Sequence, residues 1–329
     1  MSTKTRYFVV IAGAVLAVGL GTGLVASYAG LGMPAVFSSA AGPDDLKYVP
    51  ADAAVVGYAN VKDVVNSQFR QRFRQYEPQS REKDEFQTMT GVNIEQDIDS
   101  IVAAVMPGPD GLANNPHDSA IVLARGRFDA TKLETLAVQH GGQVEQYQGK
   151  KLVTHDGGRE QLAFGFMESN LVAIGSIGTV RKAIDAGREN RNVMSNNDVM
   201  RLVAELDSSN AWAVGRFDAI ANEARLPSEV RSQIPSIAWF SVAGHVNGGV
   251  NGVLKAETRD EAAAQNLRDV VRGFLALAKM QAGTKPGMKE MADSLQLSGE
   301  GKTVALAFTI PNEFFDALEA MGKKKAAEQ

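Results

Sequence analysis

The sequence predicts an α+β protein: one N-terminal transmembrane helix, then two similar subdomains, each an antiparallel sheet with helices packed on one face. Three observations carry this expectation. No charged residue separates Arg6 from Asp44. Beyond Pro43, short strand-like runs alternate with helical ones, as in sheets dressed with helices. Finally, Gly126-Arg127-Phe128-Asp129-Ala130 recurs unchanged as Gly215-Arg216-Phe217-Asp218-Ala219, each time between a strand-like run and a helical one.

The first element is the run Tyr7 to Ala26, YFVVIAGAVLAVGLGTGLVA. About 20 residues at about 1.5 Å each give a helix of about 30 Å, the thickness of a bilayer's hydrocarbon core. Lys4 and Arg6 precede the run, and Asp44 and Asp45 are the first charges after it. The positive-inside rule then places residues 1–6 in the cytoplasm and the body outside. Residues 7–29 are expected to span the membrane and residues 30–45, rich in Gly, Ala, Ser and Pro, to form a tether. A cleaved signal peptide is the competing reading, because Ser27-Tyr28-Ala29 and Ser39-Ala40-Ala41 both have small-x-small form. A signal's apolar stretch is usually about 7 to 15 residues, shorter than this one. Either way the body is exported, and the expected address is a bacterial inner membrane with a periplasmic or extracellular body.

Gly19 and Gly23 form a G-x-x-x-G pair, and Gly13, Ala17 and Gly21 form a second row of small residues. Such rows let transmembrane helices approach closely, so these five are the candidate association face. Small residues are also common in spanning helices that associate with nothing.

Composition narrows the function classes. With 44% hydrophobic and 22% charged residues, the chain has globular proportions. About 285 residues remain after the span, enough for a substantial core. A formal charge of −4 supplies no basic field, so nucleic acid is not an expected partner. Cysteine is absent, which excludes disulfides, thiolate metal sites, iron–sulfur clusters, a cysteine nucleophile and a lipidated cysteine.

Within the body, Ala53 to Tyr58 reads as a strand. Val61 to Tyr76 reads as a helix with Val65, Phe69, Phe73 and Tyr76 on one face, and Ile98 to Met106 as a short apolar helix ended by Pro107. Ser119 to Ala124 is an expected strand and Thr131 to His140 a helix closed by Gly141-Gly142. Three strand runs follow, Gln143 to Tyr147, Lys151 to His155 and Leu162 to Phe166, with Gly149 and Asp156-Gly157 as turns. Leu171 to Gly175 reads as a strand and Thr179 to Ala186 as a helix.

Farther on, Ile237 to Val246 and Val250 to Glu257 form a hairpin across Asn247-Gly248-Gly249. Glu261 to Gln281 is a helix with the apolar stripe Leu267, Val270, Val271, Phe274, Leu277 and Ala278. Ser294 to Leu297 pairs with Val304 to Ile310, and Asn312 is placed to cap a helix from Glu313 to Met321. In the five-residue repeat, Asp129 and Asp218 are placed as N-caps. Read as an internal duplication, the repeat divides the body into residues 46–195 and 196–322, with 323–329 a frayed tail.

No constellation carries chemistry. Gly299-Glu300-Gly301-Lys302-Thr303 lacks the first glycine of a phosphate loop, which is Gln296, and runs into a strand, so it reads as a hairpin turn. The glycine-rich stretch Gly244 to Gly252 lies between two strands and does not fit G-x-G-x-x-G. His117, His140, His155 and His245 share no metal-ligand spacing and read as surface or turn residues. Ser176 in Gly175-Ser176-Ile177-Gly178 lacks the first glycine of a nucleophile elbow, which is Ile174, and reads as a helix cap. Ser80 and Lys83 have S-x-x-K spacing inside a polar connection, without partner motifs. Glu95, Asp97 and Asp99 lack the calcium-loop pattern and read as acids in a first helical turn. Arg70, Arg72 and Arg74 read as the solvated side of a helix, with lipid headgroups the alternative contact.

Leu46-Lys47-Tyr48-Val49-Pro50-Ala51-Asp52-Ala53, followed by VVGYANV, resembles uncharacterised single-pass bacterial envelope proteins with a duplicated α+β extracytoplasmic body. The resemblance implies an anchor and a large cysteine-free body, and implies no functional residues. The expected role is therefore a non-enzymatic interaction or scaffolding module of the envelope, or a membrane-complex subunit. It would have the lipid bilayer and an envelope protein as partners, with no cofactor, metal or nucleic acid. A lipid carrier or chaperone with an apolar groove, and a carboxylate- or serine-dependent hydrolase, are the alternatives.

Overall fold

The computed structural model describes residues 43–68, 70–71, 81–107, 119–156, 161–206, 209–217, 237–247, 249–282 and 288–310. The expected span 7–29, the tether to residue 42, the five residues of the association face, the helix from Glu313 and the tail 323–329 lie outside them. Among the described residues, no helix is long and apolar enough to cross a membrane.

The strands are β1 (Val55–Asn60), β2 (Ile98–Val105), β3 (Ala120–Gly126), β4 (Gln143–Tyr147), β5 (Lys150–Asp156), β6 (Gln161–Glu168), β7 (Leu171–Ser176), β8 (Ala211–Arg216), β9 (Ile237–Val246), β10 (Val250–Thr258), β11 (Gln296–Ser298) and β12 (Thr303–Ile310). They form one twelve-stranded sheet in the order β11-β12-β10-β9-β8-β1-β2-β3-β7-β6-β5-β4. Neighbouring strands are antiparallel throughout. The two expected sheets are thus a single one, joined where β1 pairs with β8. Outward from that joint the strand order repeats: β1-β2-β3-β7-β6 on one side, β8-β9-β10-β12-β11 on the other, with the hairpin β5–β4 added to the first.

Helices α1 (Val61–Asn66), α2 (Arg81–Thr90), α3 (Ile94–Asp97), α4 (Ala130–Gln139), α5 (Ile177–Glu189), α6 (Asn197–Ala204), α7 (Glu261–Ala282) and α8 (Met288–Ser294) connect the strands. They cover both faces of the sheet, not one. On the first face, Val180, Ala183 and Ile184 of α5 and Val199, Leu202 and Val203 of α6 pack on Val56, Tyr58, Val102, Leu123 and Trp212. On the second, Val61, Phe86, Ile94 and Ala137 from α1 to α4 pack on Ile101, Val122, Ala124 and Phe164. The register carries the first face from Tyr58 through Trp212, Ala243 and Val253 to Ala307. Val304, three residues from Ala307, therefore faces the other way, and α7 packs there through Ala264 and Leu267.

This two-sided burial explains the main error of the sequence reading. Ile98 to Met106 is not a helix but the strand β2, and its neighbours β1 and β3 flank it in the sheet. A strand buried on both faces shows a continuous apolar run and loses the alternation that marks a half-exposed one. The expected helix Val61–Tyr76 is interrupted at Ser67, is helical again at Gln68, Arg70 and Gln71, and beyond these lies outside the described residues. At Ser67 the hydroxyl donates to Val64 O and accepts from Arg70 N, closing one turn and opening the next. His155 is a buried residue of β5, not a turn residue. The apolar stripe of α7 holds as read at Leu267, but Phe274, Leu277 and Ala278 are exposed. Helices α2, α6 and α8 are additions to the expected elements, and α6 carries a local signature of its own: Asn196 caps it, and Val199, Leu202 and Val203 form its buried face.

The five-residue repeat has a readable job. Arg127 N donates to Asp97 O at 2.8 Å, and Arg216 N donates to Ala54 O at 2.9 Å. The preceding glycines leave room for those carbonyls: a Cβ on Gly215 would lie 2.8 Å from Ala54 O, and one on Gly126 would overlap Asp97 O. Asp129 then caps α4 by accepting from Lys132 N. The copies nevertheless end β3 and β8, which hold different ranks from the central joint, so they mark similar strand ends and not equivalent strands. Gly126→Ala is expected to lower stability by about 1–3 kcal/mol through overpacking. Gly178→Ala, in the first turn of α5 with Ser176 Oγ 3.9 Å from the added methyl, should be neutral or slightly stabilising. Urea denaturation of both variants checks the contrast.

Candidate functional site

The chain enters the described fold through a 3₁₀ turn, Asp44–Tyr48. Leu46 N bonds to Pro43 O at 2.8 Å and Val49 N to Leu46 O at 3.0 Å. Leu46 and Val49 are both wholly buried, so the turn is pinned from below by apolar packing. Val49 O accepts from Val193 N, and Pro50 bridges to Asn192. The Tyr48 ring lies over Gly187 in the last turns of α5, where any Cβ would come within 2.5 Å of it.

Above this packing sits an ion cluster. Arg125, near the end of β3, donates from Nε to both carboxylate oxygens of Asp45 at 3.1 Å, and Nη2 donates to Asp45 Oδ1 as well. The same Nη2 reaches Glu168 Oε2 at 3.0 Å, at the end of β6, and Nη1 reaches Asn170 Oδ1 at 2.9 Å. Lys47 Nζ lies 2.8 Å from Glu168 Oε1, to which Tyr48 Oη donates at 3.2 Å. Asp45 is 2% exposed.

The cluster holds two cations and two anions, so it is neutral and fully partnered. Lys47 first, and Arg125 with it, hold the Glu168 carboxyl down to about 2. The bond to Asp45 raises Arg125, and the bond to Glu168 raises Lys47. Burial, reinforced by Glu168, raises Tyr48. Chemically this arrangement clamps; it offers no free nucleophile or proton carrier. The sequence reading missed it, because Asp45, Arg125 and Glu168 are far apart in the chain. One signal was present: Arg125 interrupts an otherwise apolar strand run.

The residues weighed for catalysis have structural partners instead. Ser176 caps α5, its hydroxyl accepting from Thr179 N at 3.2 Å. Glu95 pairs with Arg70 at 2.8 Å, Asp97 with Arg127 at 2.9 Å, and Asp99 with Lys62. The three acids therefore point to three separate cations, and the described residues contain no metal-holding group. Gly299 and Gly301 adopt positive φ in the β11–β12 turn, as a hairpin requires. His140 ends α4, and His245 is exposed on β9. Ser80, His117, Arg72 and Arg74 lie outside the described residues.

Two concavities stand out among the described residues. One of about 320 Å³ is open to solvent beside α1, lined by Lys62, Val65, Asn66, Glu95 and Gln96. The other, about 20 Å³, has room for roughly a single water between α6 and β9–β10. It is bordered by the pairs Arg201–Glu257 at 2.7 Å and Lys255–Glu205 at 2.9 Å. Neither is an apolar groove.

A sequence model for a protein family of unknown function, DUF3352, matches residues 10–248, well over half of the chain. The chain belongs to this family. The match takes in most of the apolar N-terminal run, the clamped turn and every strand from β1 to β9. No curated protein matches the sequence. Among solved structures, crystal form III of TP0453 has 10% identity and a TM-score of 0.47, covering 83% of this chain and 96% of that one. Crystal form I has 10% identity and a TM-score of 0.46, covering 85% and 98%.

Asp45→Ala should cost about 1–3 kcal/mol, because it takes the main partner from Arg125, a part-buried guanidinium that keeps Glu168 and Asn170. Differential scanning calorimetry reads the loss. The clamp also sets an acid limit. Glu168 ionises below its ordinary value of 4.5, so its stabilisation is complete above that value and lost as pH falls towards about 2. Between those limits the melting temperature of Glu168→Gln should fall less steeply with pH than that of the parent.

Proposed function

We propose that this DUF3352 protein is a single-pass, membrane-tethered module of the bacterial envelope, with its N-terminus cytoplasmic and its sheet on the far side. There it acts as a non-enzymatic interaction or scaffolding unit, or as a subunit of a membrane complex. The observation that carries this reading is the clamped turn. The apolar run and short linker lead directly into Asp44–Tyr48, and Asp45, Lys47 and Tyr48 are tied to Arg125 and Glu168 within that turn. A joint fixed to two strands suits a body held by one end, because load on the tether reaches the sheet and not a frayed terminus. Inclusion of the apolar run in the family match supports treating it as part of the working protein.

The two outward runs of strands support a further element of the reading, that the body arose from two similar units sharing one sheet. Residues 46–195 and 196–322 remain the natural division, with β4–β5 an addition to the first. Partners would meet the chain both at the bilayer, through Gly13, Ala17, Gly19, Gly21 and Gly23, and on the body.

Native membranes solubilised in mild detergent test this directly. The chain should resist alkaline carbonate extraction, and a tagged copy should recover an envelope protein. Gly19→Leu and Gly23→Leu should reduce cross-linked species without releasing the chain from the membrane. Recovery of a lone monomer, with cross-linking unchanged in both variants, would discard the interaction role.

A further inference from the structure

Among the described residues, three of the six large apolar side chains left most exposed lie on the second half of one helix: Phe274 at 47%, Leu277 at 49% and Met280 at 72%. The first half of α7 holds the sheet, with Ala264 wholly buried and Leu267 at 6%. From Arg272 to Met280 the helix turns outward: Phe274, Ala276, Leu277, Ala278 and Met280 are exposed and Leu275 is partly covered, before Ala282 is buried again at 4%. Gly273 has open space around it, since an added Cβ would meet no atom within 4 Å.

The charges on this half point to a type of partner. On this half Arg272 pairs with Asp269 at 2.7 Å, and Lys279 is an exposed cation. An exposed apolar stripe beside a lysine, on a helix otherwise folded onto a globular body, suits the boundary between headgroups and acyl chains. A second copy of the chain fits less well. Three side chains bury far less than the roughly 800 Å² per partner of a standard protein interface.

The tether supplies the geometry. Residues 30–42 lie between the expected span and the clamped turn, and 13 extended residues reach at most about 45 Å. That leash keeps the body near the bilayer. It is also long enough to pass around a sheet whose packed layers are about 10 Å apart, so the face carrying α7 can turn to the membrane.

We propose that the second half of α7 is a membrane-surface docking helix that lays Phe274, Leu277 and Met280 into the headgroup boundary of the bilayer holding the chain's own N-terminal segment. The inference rests on the membrane-tethered reading above. The absence of cysteine makes it directly testable. Met280→Cys and Gln265→Cys, on the outer and inner halves of α7, are each labelled with an environment-sensitive dye in the full-length chain. The protein is then reconstituted into phosphatidylcholine–phosphatidylglycerol vesicles carrying nitroxide-labelled acyl chains.

Quenching at position 280 should exceed that at position 265 several-fold, and Phe274→Glu with Leu277→Glu should abolish the difference. Equal quenching at the two positions, in protein that co-floats with the vesicles, overturns the docking helix and leaves the tether intact. Disulfide-linked dimers of the unlabelled Met280→Cys chain, with no quenching in the labelled sample, overturn it in favour of a second copy. Failure of the full-length chain to co-float overturns the tethered reading, and the docking helix with it.

Discussion

The pairing of β1 with β8 is the constraint on which the rest of the structure depends. Val55 to Ala59 lie opposite Gly215 to Ala211, and Tyr58 stacks on Trp212 with ring centroids 5.9 Å apart. Without that ladder the chain would hold two separate sheets, each with a long unpaired edge. With it, twelve strands share one surface, and the sheet's free edges become the five-residue β4 and the three-residue β11. Short edge strands give other chains little to pair with, which limits aggregation.

The joint also explains where the helices go. A sheet this wide has two faces to bury, and its central strands are apolar on both. Helices α5 and α6 cover one face; α1 to α4 and the first half of α7 cover the other. The clamp at Asp45 belongs to the first face. Its packing on Leu46 and Val49 ties the start of the body to the strands beside the joint. Apolar burial positions the turn, and the ion cluster fixes its orientation. Glu168 stays ionised there well below its ordinary range because Lys47 and Arg125 both face it.

How much of this the sequence reveals depends on the range of each interaction. The hairpins from β4 to β7 and from β9 to β10 were readable, because alternation and glycine or Asx turns are local signals. Caps at Asp129 and Ser176 were readable for the same reason. β2 was not, since burial on both faces erased its alternation and the run before Pro107 matched a short helix equally well. The exposed half of α7 is legible as part of an apolar stripe, but periodicity does not say what covers it. The Asp45–Arg125–Glu168 cluster was invisible: its members are local to nothing, and only the fold brings them together. The repeat at Gly126 and Gly215 was visible as a pattern but misleading as a ruler, since it marks a shared way of ending a strand beside a passing carbonyl.

The position of β8 has a consequence for the order of assembly. During synthesis β1 is made early, and β2 and β3 follow soon after, so one of its sides is satisfied within about the first third of the chain. Its other side waits until Ala211 to Arg216 have emerged, about 150 residues after β1 itself. Throughout that interval an apolar strand presents a free row of backbone donors and acceptors, the state in which growing chains pair wrongly. A contact this remote in sequence also slows closure of the final fold. The structure that ends with its central strand best protected therefore begins with that strand most at risk.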